Sequence, residues 1–191
     1  MNRNIANAVA AALIGLLATP VSATDNYTVD PRHTFPVFEV NHLSFSTQRG
    51  RFNKTTGKIS LDIAAKKGSV EITIDTASLD MGADDWNKHM KSEDFFNVEK
   101  FPSMRFTSHQ LLFDDGKPVA AEGEFTLLGI TRPLRLTVNN FRCAPHPMNK
   151  KPTCGADIAA TLKRSDFGMT KYVPGVSDEV RIIAPIEALK D

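Results

Sequence analysis

Apolar and polar residues alternate with a period of two along most of this chain. Val70, Ile72 and Ile74 are separated by Glu71 and Thr73, and Leu134, Leu136 and Val138 by Arg135 and Thr137. Successive side chains of a strand point to opposite faces, so each run predicts a half-buried β-strand. The same reading fits Phe38-Val40-His42, Ile59-Leu61-Ile63, Met104-Phe106, Phe125-Leu127, Ile158-Ala160-Leu162 and Ile182-Ala184-Ile186, which makes eight candidate strands. Lys66-Lys67-Gly68, Asp114-Asp115-Gly116 and Leu128-Gly129 supply turn chemistry between them.

One segment changes the period. Between Asp84 and Asp94, the residues Trp86, His89, Met90 and Glu93 fall at helical spacing, with Asp84 and Asp85 suited to a helix N-terminus. A short helix near residues 84–94 is expected. Its stripe is mostly apolar and is followed by Phe95, Phe96 and Phe101, so it covers something hydrophobic before Pro102 ends it.

The chain opens differently. Arg3 precedes a small, apolar run from Ile5 to Leu17, and Pro20-Val21-Ser22-Ala23 offers small residues before Thr24-Asp25. This predicts a signal peptide over residues 1–23, cleaved after Ala23, and the run is too short and too interrupted for a membrane anchor. No repeat or linker divides the remainder, so residues 24–191 read as one domain. With Arg3 removed, 22 basic side chains face 22 acidic ones. A balanced charge gives no field for nucleic acid or anionic lipid, and the mature chain has no integral membrane segment.

Export gives the two cysteines a meaning. Cys143 and Cys154 flank a Pro- and Lys-rich loop, and in an oxidising compartment they are expected to pair as a structural staple. They lack C-x-x-C spacing, which argues against a redox pair or a metal site.

Eight strands with one apolar face each can close into a barrel or split into a sandwich, and periodicity does not choose. The chain has one Trp and two Tyr, too few for the aromatic girdles of an outer-membrane barrel. Catalytic templates are absent: there is no G-x-S-x-G, H-E-x-x-H or Gly-rich phosphate loop. None of His33, His42, His89, His109 and His146 stands at a recognised metal-ligand spacing. His42 continues the inward series of Phe38 and Val40. It reads either as a hydrogen-bonded core histidine or as a polar contact for the head of an apolar ligand. Arg49 and Arg51 read either as a solvated strand edge or as anion contacts. Arg164-Ser165-Asp166-Phe167-Gly168 reads as a strand end and turn, and Phe95-Phe96 first of all as core.

Several stretches carry a resemblance. Asp30-Pro31-Arg32-His33, Phe38 through Leu43, and Gly50-Arg51-Phe52 with Gly57 resemble the opening of the YceI-like family of polyisoprenoid-binding periplasmic proteins. His89 through Val98 with Phe101-Pro102 and Phe106-Thr107-Ser108, then Gly123 through Thr131, then Arg164 through Gly168, are similar to its later signatures in the same order. The resemblance implies an all-β, eight-stranded antiparallel, extended lipocalin-like barrel in the periplasm. Its apolar interior would hold an isoprenoid quinone, a precursor or another long amphiphile, with no further cofactor required.

On that reading Phe38, Val40, Ile72, Phe106 and Leu127 line the barrel. His42, Arg51, Phe52, Trp86, His89, Phe95, Phe96, Arg164, Asp166 and Phe167 are further candidates for ligand contact. A homodimer is left open. The competing class is an enzyme acting on a lipid or isoprenoid, with His42, Asp166 and Arg164 as acid, base or anion groups. Two features depart from the family pattern, the Cys143 to Cys154 loop and Trp86-Asn87-Lys88, and both are expected to bear on the cavity mouth.

Overall fold

The structure, a computed structural model, describes residues 24–191; the expected signal peptide, residues 1–23, lies outside the described residues. Eleven strands form: β1 (Asp25–Val29), β2 (Val37–His42), β3 (Ser46–Phe52), β4 (Thr55–Asp62), β5 (Lys67–Asp75), β6 (Leu79–Asp80), β7 (Ser103–Asp114), β8 (Lys117–Leu127), β9 (Ile130–Pro145), β10 (Pro152–Lys163) and β11 (Glu179–Lys190). Eight of them close an antiparallel ring in the order β1-β4-β5-β7-β8-β9-β10-β11, and β11 returns to β1. Closure removes the sheet edges that a sandwich would leave.

The ring is not made of the eight strands that periodicity picks out. All eight are strands, but β2 lies outside the ring and β1 takes its place. β1 carries only Tyr27 and Val29 as buried positions, too short an alternation to register. β3 reads Ser-Thr-Gln-Arg-Gly-Arg-Phe and β6 has two residues, so both also escape the pattern. β11 is long enough to serve two partners. Its last residues pair with β1, Val29 opposite Ala188, and its first with β2, Phe38 opposite Ile182. The β2-β3-β6 flap therefore prolongs the wall at one end, where β1 and β4 have no counterpart.

Inward series follow strand parity. On β4 the inward residues are Thr55, Gly57, Ile59 and Leu61, and the series ends there; Ile63 is exposed in the following turn. On β7 parity changes within the strand. Ser108 Oγ donates to Glu122 O (2.6 Å) and accepts from Gln110 N (3.1 Å), and the register shifts between Thr107 and Gln110. Such a bulge inserts an unpaired residue, so Met104 and Phe106 face inward before it and Leu111 after it.

Helix α1 (Asp84–Lys91) is shorter than the expected 84–94. Ser92 is already extended, and its hydroxyl donates to His89 O (2.7 Å), which stops the helix before Glu93. Asn87 Oδ1 accepts from Met81 N (2.7 Å) and fastens α1 to the end of β6. No helix among the described residues is long and apolar enough to cross a membrane. Cys143 and Cys154 face each other across β9 and β10 and are joined by a disulfide. The bridge lies at the end of the barrel away from α1, so it does not shape the α1 end as expected. It stands beside a different cavity.

Candidate ligand cavity

Three cavities follow one another inside the wall. The mouth cavity, under α1, has a volume of about 300 Å³ and is bounded by Val40, His42, Gln48, Met81, Trp86, His89, Met90, Phe95 and Tyr172. The central cavity, about 120 Å³, is bounded by Phe38, Phe52, Ile72, Ile74, Phe96, Met104, Phe106, Phe125 and Leu127. The deep cavity, about 80 Å³, is bounded by Tyr27, Leu61, Leu111, Phe141 and Cys154, next to the disulfide. Central and deep cavities share Ile72, Leu136, Ile158 and Ile186. Mouth and central cavities share Arg164, Met169 and Val180. The three are separated only by side chains they share, and the inner two are walled almost wholly by hydrocarbon.

Phe38, Phe52 and Phe96 meet with ring centroids 5.2 to 6.0 Å apart between the flap and the barrel. Gly50, on β3, makes this contact feasible: a Cβ there would come within 2.5 Å of the Phe38 ring and 2.4 Å of Met81 Sδ. Phe95 belongs to the mouth, edge-on to His89 at 5.0 Å, with Tyr172 beside both. Trp86 lines the mouth and keeps 40% of its surface in solvent.

Among the described residues Arg164 is the one charged group in the inner wall, only 3% exposed. Its Nε donates to Ser177 O (2.9 Å), Nη1 to Met169 O (3.0 Å) and Nη2 to Val176 O (3.0 Å). These bonds gather the loop after β10 around one guanidinium, which is how a buried cation is tolerated without a bonded carboxylate. Burial pushes its pKa down, opposed by nearby Asp178. Asp178 itself accepts from the Ser165 hydroxyl (2.7 Å) and amide (2.9 Å), which hold its carboxyl below the usual range.

Three expected contacts fall elsewhere or sit behind the wall. Arg51 points outward, its guanidinium 4.0 Å above the Phe35 ring, because inward parity on β3 belongs to Gly50 and Phe52. Arg49 is likewise outside, paired with Glu39 (2.7 Å), which Arg181 also meets (3.0 Å). Asp166 is exposed in a 3₁₀ turn and borders none of the three cavities. Phe167 is buried behind Phe125, edge-on at 5.7 Å, rather than at a cavity surface. His42 and Arg164 share the mouth, but no hydrogen bond or ion pair among the described residues joins them to Asp166.

Parity and fold also bring in residues that motif reading passes over: Thr55, Leu134 and Leu136 in the central wall, and Gln48 and Tyr172 at the mouth. Extending the inward series of β4 backward from Ile59 reaches Thr55. No sequence signal finds Tyr172, whose loop is set by Arg164. Outside the barrel, Asp30, His33 and Glu187 converge, with His33 Nδ1 2.8 Å from Asp30 and 3.8 Å from Glu187. Thr34 clamps this corner through Glu187, accepting from its N (3.1 Å) and donating to its O (3.3 Å).

An eight-stranded antiparallel barrel with an apolar lumen, one capped mouth and one stapled end defines the class: a lipocalin-like barrel with small hydrocarbon-lined cavities inside. The YceI-like domain matches residues 27–188, and the chain belongs to that family. It is 32% identical to a UPF0312 protein of Ectopseudomonas mendocina over 189 residues, covering 96% of this chain and 98% of the relative. It is 29% identical to Protein YceI of Salmonella newport, covering 100% of this chain and 99% of that one. Among solved structures, BcnA of Burkholderia cenocepacia is similar with a TM-score of 0.70 at 24% identity, over 83% of this chain and 98% of that one. A polyisoprenoid binding domain from Saccharophagus degradans, implicated in plant cell wall breakdown, is similar with a TM-score of 0.64 at 14% identity, over 86% and 98%.

Proposed function

We propose that this protein is a periplasmic carrier that takes up a long amphiphile, a polyisoprenoid such as an isoprenoid quinone or its precursor. The observation that carries the reading is the succession of three adjoining, largely apolar cavities from α1 to the disulfide, each sharing wall residues with the next. Burying a prenyl chain there gains about 0.8 kcal/mol per CH2 removed from water. Similarity to the polyisoprenoid binding domain of Saccharophagus degradans supports the ligand class. The apolar run from Ile5 to Leu17 and the disulfide support export.

The tail belongs in the central and deep cavities and the polar end toward the mouth, where His42, Gln48, His89 and Arg164 supply polar groups. Each inner cavity is smaller than the ~150 Å³ that holds a benzene ring. A chain therefore enters by turning aside flexible wall side chains such as Met104, Leu134 and Met169. Native mass spectrometry of gently purified protein, followed by organic extraction, tests this. A prenyl lipid recovered chemically unchanged is expected. Protein that binds no added polyprenyl lipid, or that converts it, would sink the carrier reading.

A further inference from the structure

The central cavity contains one polar group that the fold does not use. Thr55, at the start of β4, lines this cavity and is 0% exposed. Its Oγ1 is buried and has no hydrogen-bond partner among the described residues. The other two polar residues of this wall are accounted for: Thr34 is bonded to Glu187 both ways, and Arg164 to three carbonyls. A buried hydroxyl without a partner is costly, and buried polar side chains are nearly always bonded. Strand propensity favours threonine on half-exposed faces, but at a fully buried inward position valine has the same shape and no such cost. The neighbours on the same wall, Ile72, Ile74, Phe106 and Leu127, are all hydrocarbon. The hydroxyl among them lacks the acceptor that its burial calls for.

We propose that Thr55 is a specificity-determining hydrogen-bond donor of the central cavity, selecting an isoprenoid that carries a neutral acceptor oxygen, such as a quinone carbonyl, over a pure hydrocarbon. A hydroxyl satisfies a carbonyl oxygen with one bond. It does not compensate the desolvation of a phosphate, whose charge needs several donors. The inference rests on the carrier reading, and adds to it that an oxygen of the ligand passes beyond the mouth into the central cavity.

The test compares two probes, a farnesylated benzoquinone and squalene, on delipidated wild type, Thr55→Val and Thr55→Ser. Loss of one bond to a buried acceptor corresponds to about tenfold in affinity. Thr55→Val is expected to bind the quinone about tenfold more weakly and squalene as tightly as wild type. Thr55→Ser is expected to keep the quinone affinity. The ligand-free Thr55→Val protein is expected to melt no lower than wild type, since no internal bond is lost. Equal losses for both probes, no loss for either, or a lowered melting temperature of ligand-free Thr55→Val would overturn the role of Thr55. Wild type that binds neither probe would overturn the carrier reading itself, and this inference with it.

Discussion

Ile72 stands at the waist where the central and deep cavities meet, and it borders both. Replacing it with phenylalanine directs three additional heavy atoms into that passage. The deep cavity beyond it measures about 80 Å³. At ~24 cal/mol per Å³, the dependence measured for buried cavities, filling it with the end of a chain is worth about 2 kcal/mol. That is about 25-fold in affinity. Only a ligand long enough to reach past the waist can lose this term. Ile72→Phe is therefore expected to weaken a long polyprenol about 25-fold and to leave geraniol, which ends in the central cavity, nearly unchanged. Overpacking should cost about 1 to 3 kcal/mol of stability without loss of fold. Titration of both prenols into wild type and variant, with near-ultraviolet circular dichroism as the check on folding, reads the result. A folded variant that loses affinity equally for both, or for neither, would refute a chain threaded through the waist.

Two further outcomes follow from the same geometry. Replacing Cys143 and Cys154 with serine should lower unfolding free energy by about 3 kcal/mol, the loop-closure value for so short a segment. Denaturant titration of the double variant measures it, and an unchanged midpoint would contradict a stapling role. The His33 imidazole is raised above its ordinary 6.5 chiefly by its hydrogen bond to Asp30, then by Glu187. A raised folded pKa contributes stability that is complete below the unfolded value and disappears as pH rises through the folded one. An NMR titration of His33 should show a midpoint above 6.5, and a His33→Gln variant should lose the part of the stability profile that declines above that pH. A midpoint at or below 6.5 would show that the Asp30 contact does not form in solution.

The alternation at Val70-Ile72-Ile74 and Leu134-Leu136-Val138 settles strand, face and all-β class from the sequence alone, because side-chain direction in a strand is a local property. Local pattern likewise marks the start of α1, where Asp84 and Asp85 sit in the first turn, and the pairing partners Cys143 and Cys154. It also shows that Phe38 and His42 share one face of β2. Closure is different in kind. β11 divides its length between β1 and β2, and no residue of β1 announces that Val29 will meet Ala188 across most of the chain. The bulge at Ser108 depends on Glu122 O, on another strand, and it reverses the inward parity that local reading would extend along β7. Arg51 and Asp166 have the residue types of a binding site, but parity on β3 and the turn after β10 turn them outward. His33 meets Glu187 and Arg164 gathers the carbonyls of Met169, Val176 and Ser177 only once the strands are in register. A cavity is the space that distant side chains leave when the ring shuts. Its volume, its waist at Ile72 and the unpartnered hydroxyl of Thr55 therefore belong to the tertiary structure, whereas the hydrocarbon character of its wall is already written in the alternation.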